Sequence, residues 1–166
     1  MTLWLKYFST QPLAPKGIKL KDSDFKNFPH KLPKGSKIYS RGENISTIGN
    51  YRPDISIINN NESYLILESE SKSDRKAFIG AIVHAFKFAD EKKLNINLII
   101  IMKETGNQTT TKQVSNNIKP YYEWLNSIAN IKLDGVFIIS DTEYINSSSN
   151  DEILLSENFK KRCITL

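Results

Sequence analysis

Tyr51 to Lys72 reads YRPDISIINNNESYLILESESK, the pattern of a β-hairpin that ends in a cluster of acids. The first arm, Asp54-Ile55-Ser56-Ile57-Ile58, alternates and then runs apolar. The second, Tyr64-Leu65-Ile66-Leu67, is continuously apolar and stops at a carboxylate. Asn59-Asn60-Asn61 supplies turn residues that tolerate the left-handed region. Burial sets the register. Ile55 and Ile57 share a face with Leu65 and Leu67 only if Ile57 lies opposite Leu65 and Ile55 opposite Leu67. Asp54 then falls opposite Glu68, and the period of two carries Glu70 and Lys72 along the same side as Glu68.

Three carboxylates and an ammonium are thus expected where the apolar run ends. Such a cluster repels itself unless a cation neutralises it, and Mg²⁺ favours one or two carboxylates completed by waters and phosphate oxygens. That donor set suits phosphodiester hydrolysis, with a nearby ammonium to balance developing charge. The same letters also describe a hairpin with a solvated acidic end, whose exposed ion pairs contribute little.

The stretch resembles the PD-(D/E)xK nuclease superfamily, which includes many restriction endonucleases and junction resolvases. Pro53-Asp54 matches the PD element, and Glu70-Ser71-Lys72 matches ExK by letter. The hairpin register instead favours Glu68 as the acidic strand residue and sets Glu70 where the family carries its lysine, a variation that the superfamily shows. The resemblance covers roughly residues 37–102. It implies a metal-dependent DNA endonuclease with Asp54, Glu68 and Glu70 as metal ligands, and with these three and Lys72 as the catalytic set. Mg²⁺ is the implied cofactor, with Mn²⁺ substituting. Glu43, an acid upstream of the hairpin, is a further candidate for the metal site or an ordinary surface charge.

The chain has 166 residues, 39% hydrophobic and 25% charged, the profile of one soluble globular domain. No apolar run is long enough to span a bilayer, and the opening residues lack a signal-peptide core, so a cytoplasmic setting is the expectation. Cys163 is the lone cysteine, and His30 and His84 are the only histidines, which excludes an internal disulfide and any Cys/His zinc cage. No Walker A loop, dinucleotide glycine pattern, HExxH or GxSxG occurs, so no nucleotide cofactor is expected.

The net charge of +5 is unevenly spread. Residues 1–50 hold nine Lys or Arg against Asp22, Asp24 and Glu43, a net of +6, which leaves the remainder at −1. A basic segment preceding an acidic cluster suits a polyanion, and equally describes a lysine-rich solvated surface. Arg41, Arg52, Arg75 and Lys76 are the candidate DNA contacts.

Outside the hairpin, Trp4, Leu5, Tyr7 and Phe8 read as a short packed segment, and a helical turn or two is expected around Phe25 and Phe28. A short strand is expected over residues 37–41 and a second around Ile45 to Ile48, extending the hairpin into a meander. A helix follows from about Ser73 to Lys92, capped by Ser73 or Asp74, with Phe78, Ala81, Ile82, Ala85, Phe86 and Ala89 on its apolar face. Ile79 and Val83 widen that face beyond what one sheet needs. His84 reads as a packed or partly exposed residue rather than a base. Asn95 to Met102 is a central buried strand, and residues 103–111 form a surface loop. Helical spacing resumes from Val114 to Ile128, with Pro120 either kinking one helix or opening another. Gly135 to Ser140 is a second buried strand, and Asn146 to Asn150 reads as a flexible loop.

The expected architecture is therefore an α/β fold, a mixed central sheet flanked by helices, with a hairpin or meander followed by α-β-α-β. The resemblance implies a restriction-endonuclease-like arrangement of these elements, most like a small type II restriction endonuclease. A junction resolvase and a non-catalytic nucleic-acid-binding protein are the alternatives. Cutting both strands of a duplex requires two active sites, so a homodimer is expected.

Overall fold

The two arms pair as their side chains require. In a computed structural model, which describes residues 22–70, 74–104 and 109–166, strand β2 (Ile55–Asn59) runs antiparallel to β3 (Ser63–Glu70), with Ile55 opposite Leu67 and Ile57 opposite Leu65. Asn60 and Asn61 take φ of 49° and 60° at the turn, and the Glu62 N–H closes it on the Asn59 carbonyl. Strand β1 (Ser36–Ser40) pairs antiparallel with β2, completing a three-strand meander.

From β3 the chain crosses through helix α2 (Arg75–Lys92) to β4 (Asn95–Met102), parallel to β3. It crosses again through α3 (Thr111–Ile128) to β5 (Gly135–Ser140), parallel to β4. A two-residue strand, β6 (Ile164–Thr165), returns antiparallel to β5, so the six strands lie side by side in sequence order. The protein is an α/β fold with a mixed sheet and interleaved helices.

Alternation along the strands divides the core in two. Ile58, Ile66, Leu98, Ile100 and Ile138 face α2 and α3, meeting Phe78, Ile82 and Ile118. Ile55, Ile57, Leu67, Ile99 and Ile139 face the opposite layer, where Phe25 of α1 (Asp22–Lys26), Tyr144 of α4 (Asp141–Ser149) and Phe159 of α5 (Glu157–Arg162) cover them. Cover on both faces explains why NINLIIIM and VFII carry almost no polar side chains. No helix among the described residues is long and apolar enough to cross a membrane.

Helix α2 starts where its capping chemistry allows. Asp74 accepts from the Lys76 N–H at 2.9 Å, and Lys93 ends the helix in the left-handed region at φ 56°. All six residues of the expected apolar face are buried, while Val83 is 44% exposed. Pro120 neither ends nor divides α3, which runs as one helix from a Thr110–Gln113 capping box.

Two expectations are corrected. Residues 45–48 form no strand: the β1–β2 connection is a loop fastened by side chains, as described below. Asn146 to Asn150 is not a free loop, because α4 extends to Ser149. Ser140 caps that helix, Asp141 and Glu143 sit in its first turn, and the buried Tyr144 anchors it. The expected packed segment at Trp4–Phe8, Lys72 and the alternative cap Ser73 lie outside the described residues.

Candidate functional site

The connection from β1 to β2 is positioned from a distance. Glu91, in the last turn of α2, has a side chain only 4% exposed. It accepts from the Ser46 hydroxyl, from the Thr47 N–H at 2.7 Å and from the Thr47 hydroxyl at 2.8 Å. Burial acts to raise the Glu91 pKa, but these hydrogen bonds and that of Lys92 outweigh it and hold the carboxyl at about 2. The Ile45 N–H then closes on the Tyr51 carbonyl at 3.0 Å, and Ile45 and Tyr51 are both buried. The chain therefore enters β2 with Tyr51 fixed against α2, its ring against Phe88 and parallel to His84.

Register brings the first pair of acids together. Asp54 immediately precedes Ile55, whose partner Leu67 immediately precedes Glu68. The Asp54 N–H donates to Glu68 Oε2 at 3.2 Å, and the Ser69 N–H donates to Asp54 Oδ2 at 2.8 Å. The Tyr51 hydroxyl donates to Glu68 Oε1 at 3.0 Å, so both oxygens of Glu68 are held. Burial, and next the Asp54 charge, push the Glu68 carboxyl up to about 7 despite these hydrogen bonds, with Glu70 adding to the rise. Burial likewise carries the Tyr51 phenol well above its ordinary value, so it remains a donor.

Beside the pair lies an open cleft of about 300 Å³. Tyr51, Arg52, Glu68 and Glu70 form one side, and Ala77, Gly80, Ala81 and His84 of α2 form the other. The helix wall is low because its residues there are small, and a Cβ built on Gly80 meets nothing within 4 Å. The chain matches no protein family, no curated protein and no solved structure.

The expected residues divide clearly by position. The Asp54 N–H binds the Glu68 carboxylate, Glu68 and Glu70 line the cleft, and Asp54 is not among the cleft residues. Among the described residues no three of His, Cys, Asp and Glu gather as a ready metal cage. Oxygen donors on a desolvated Glu68 that the Asp54 charge repels fit a hard divalent cation that completes its shell with water and phosphate. Lys72 lies outside the described residues. Glu43 accepts from the Arg41 N–H at 2.6 Å in the turn after β1, and it is not among the cleft residues.

Among the candidate DNA contacts, Arg52 lines the cleft and donates to Asn50 at 2.9 Å. Arg41 donates to the Lys26 carbonyl, tying β1 to α1. Arg75 and Lys76 are exposed in the first turn of α2. Sequence reasoning missed Tyr51 as a site residue and assigned His84 no part in the cleft. The signal for Tyr51 was its place three residues before Asp54. His84 carried no local signal, because its neighbour in the cleft is 33 positions away in the chain.

Proposed function

We propose that this protein is a Mg²⁺-dependent DNA endonuclease with a restriction-endonuclease-like core, hydrolysing phosphodiester bonds at the cleft beside Asp54 and Glu68. The observation that carries this reading is the hydrogen bond of the Asp54 N–H to the Glu68 carboxylate at adjacent strand ends, with Glu68 too poorly solvated to ionise fully near neutral pH without a compensating positive charge. The element order supports it, since a three-strand meander followed by helix and parallel strand agrees with the β-β-β-α-β core of the PD-(D/E)xK superfamily.

Each residue has a role that follows from its contacts. Asp54 and Glu68 would hold the cation, Mg²⁺ or Mn²⁺. The Ser69 N–H fixes Asp54, while Tyr51 and the Asp54 N–H fix Glu68, so the pair is oriented before substrate arrives. When bound, the cation polarises the phosphate and lowers the pKa of water. Arg52 on the cleft wall offers a positive charge to the scissile phosphate, and Glu70 sits where it can orient a water. Lys72 is assigned electrostatic assistance from the motif. The chain acts on duplex DNA as a homodimer in this reading.

Incubation with supercoiled plasmid and Mg²⁺ or Mn²⁺ tests it. Asp54→Ala and Glu68→Ala should each lower nicking by on the order of 10²–10³ while circular dichroism retains the wild-type spectrum. Cleavage unaffected by both substitutions removes the proposal.

A further inference from the structure

Helix α2 separates two cavities. Ala77, Gly80, Ala81 and His84 face the acidic cleft, while Arg75, Lys76 and Ile79 line a second hollow of about 510 Å³ on the other flank, closed by Tyr121 of α3. Tyr121 is 52% exposed, and Trp124, one turn later, is 60% exposed. These rings are not needed by the core, which α3 serves through Val114, Ser115 and Ile118. Their i, i+3 spacing sets them about 4.5 Å apart along the helix axis, within reach of successive unstacked bases.

The charges beside the rings indicate an occupant. Neither Arg75 nor Lys76 has an ion-pair partner among the described residues. Asp74, the one acid lining this hollow, has an oxygen committed to capping α2. The exposed Tyr121 ring beside these cations complements a polyanion that carries flat rings, and Trp124, which does not line the hollow, extends the aromatic surface by one turn of α3. Duplex DNA keeps its bases stacked on each other, so only unpaired nucleotides offer those rings to a protein surface.

The geometry points to a binding platform for single-stranded DNA on this flank, with bases stacked on Tyr121 and Trp124 and the backbone held by Arg75 and Lys76. It rests on the endonuclease reading and specifies its substrate as DNA with unpaired nucleotides beside the scissile bond. Glu70 and Arg75 are five residues apart, at most about 18 Å of chain, so a strand leaving the cleft reaches the platform by crossing the first turn of α2.

Binding measured without cutting separates this platform from the chemistry. Fluorescence anisotropy with a labelled 16-nucleotide oligothymidylate and with a blunt 16-base-pair duplex, both in EDTA, gives two affinities for the intact protein. Tyr121→Ala and Trp124→Ala should each weaken oligothymidylate binding by about 5- to 150-fold, the equivalent of 1–3 kcal/mol per stacked base, and shift duplex binding less than about twofold. Tyr121→Phe should retain affinity, because the ring and not the hydroxyl does the stacking. Arg75→Ala with Lys76→Ala should weaken oligothymidylate binding and reduce its salt dependence.

Unchanged oligothymidylate affinity in both aromatic variants overturns the platform. So does a fall from dimer to monomer in sedimentation with that affinity retained, which would make the surface a contact with a second copy of this chain. Plasmid nicking that needs Asp54 and Glu68, alongside binding indifferent to the two rings, sinks the platform alone. Ring-dependent binding without nicking sinks the endonuclease alone.

Discussion

The ring of Tyr51 lies parallel to the imidazole of His84, with 5.1 Å between centres and 7° between planes, although the two residues belong to a loop and a helix 33 positions apart. The same tyrosine reaches Glu68 with its hydroxyl, so one side chain joins the wall of the cleft to its floor. Tyr51→Phe should preserve the stack and remove the hydrogen bond, with a cost of about 1–2 kcal/mol in urea denaturation. A double-mutant cycle between Tyr51→Leu and His84→Ala should give a coupling of about 0.5–1.5 kcal/mol. Strict additivity would show that the parallel rings contribute no mutual stability.

Gly80 separates stability from function. A Cβ there meets no neighbour, and glycine in a helix interior is about 1 kcal/mol less favourable than alanine. Gly80→Ala should therefore raise stability by about 1 kcal/mol. Gly80→Leu should fold equally well and yet obstruct the cleft beside Glu68 and Glu70, lowering plasmid nicking at least tenfold. Wild-type nicking by the leucine variant would mean that substrate does not enter there.

His30 carries a pH-dependent part of the stability on the opposite layer. Its Nε2 donates to the Phe25 carbonyl at 3.1 Å, and its Nδ1 accepts from the Tyr144 hydroxyl at 2.7 Å, an arrangement open only to the neutral ring. Burial, with the charge of Arg41 adding to it, lowers its pKa to about 4, against 6.5 in an unfolded chain. Between these values the unfolded chain binds the proton and the folded one does not, so the His30 contribution is complete above pH 6.5 and is lost as pH drops toward 4, while Glu68, raised to about 7, contributes with the opposite sign over the same range. The loss should reach about 2–3 kcal/mol by pH 4.5. Urea denaturation of wild type and His30→Gln from pH 7.5 to 4.5 measures it as the difference between the two, in which the Glu68 contribution cancels. His30→Gln should be less stable at pH 7.5 by more than at pH 4.5, and a difference that does not change with pH would exclude His30 as the cause.

Legibility in the sequence followed the range of the interactions. The pairing of Ile55 with Leu67 was readable because four aliphatic residues had only one way to share a face, and the proximity of Asp54 to Glu68 came with it. Asn95 to Met102 and Gly135 to Ser140 were equally plain, since two covered faces leave no polar alternation. The loop around Ser46 and Thr47 was misread as a strand because its fastening is Glu91, more than forty residues away. Helix α4 was hidden by the weak helix propensity of Asn146 to Ser149, which the Ser140 cap and the buried Tyr144 overcome. The stack on His84 had no local pattern at all.

Glu91 ends the helix that Arg75 begins, with His84 between them, so α2 works as a single lever. Its first turn carries cations with no ion-pair partner among the described residues, its middle supplies half of the acidic groove, and its last turn grips the strap leading to Tyr51. A load placed on Arg75 would therefore act on the same helix that tethers the loop leading to the tyrosine that steadies Glu68.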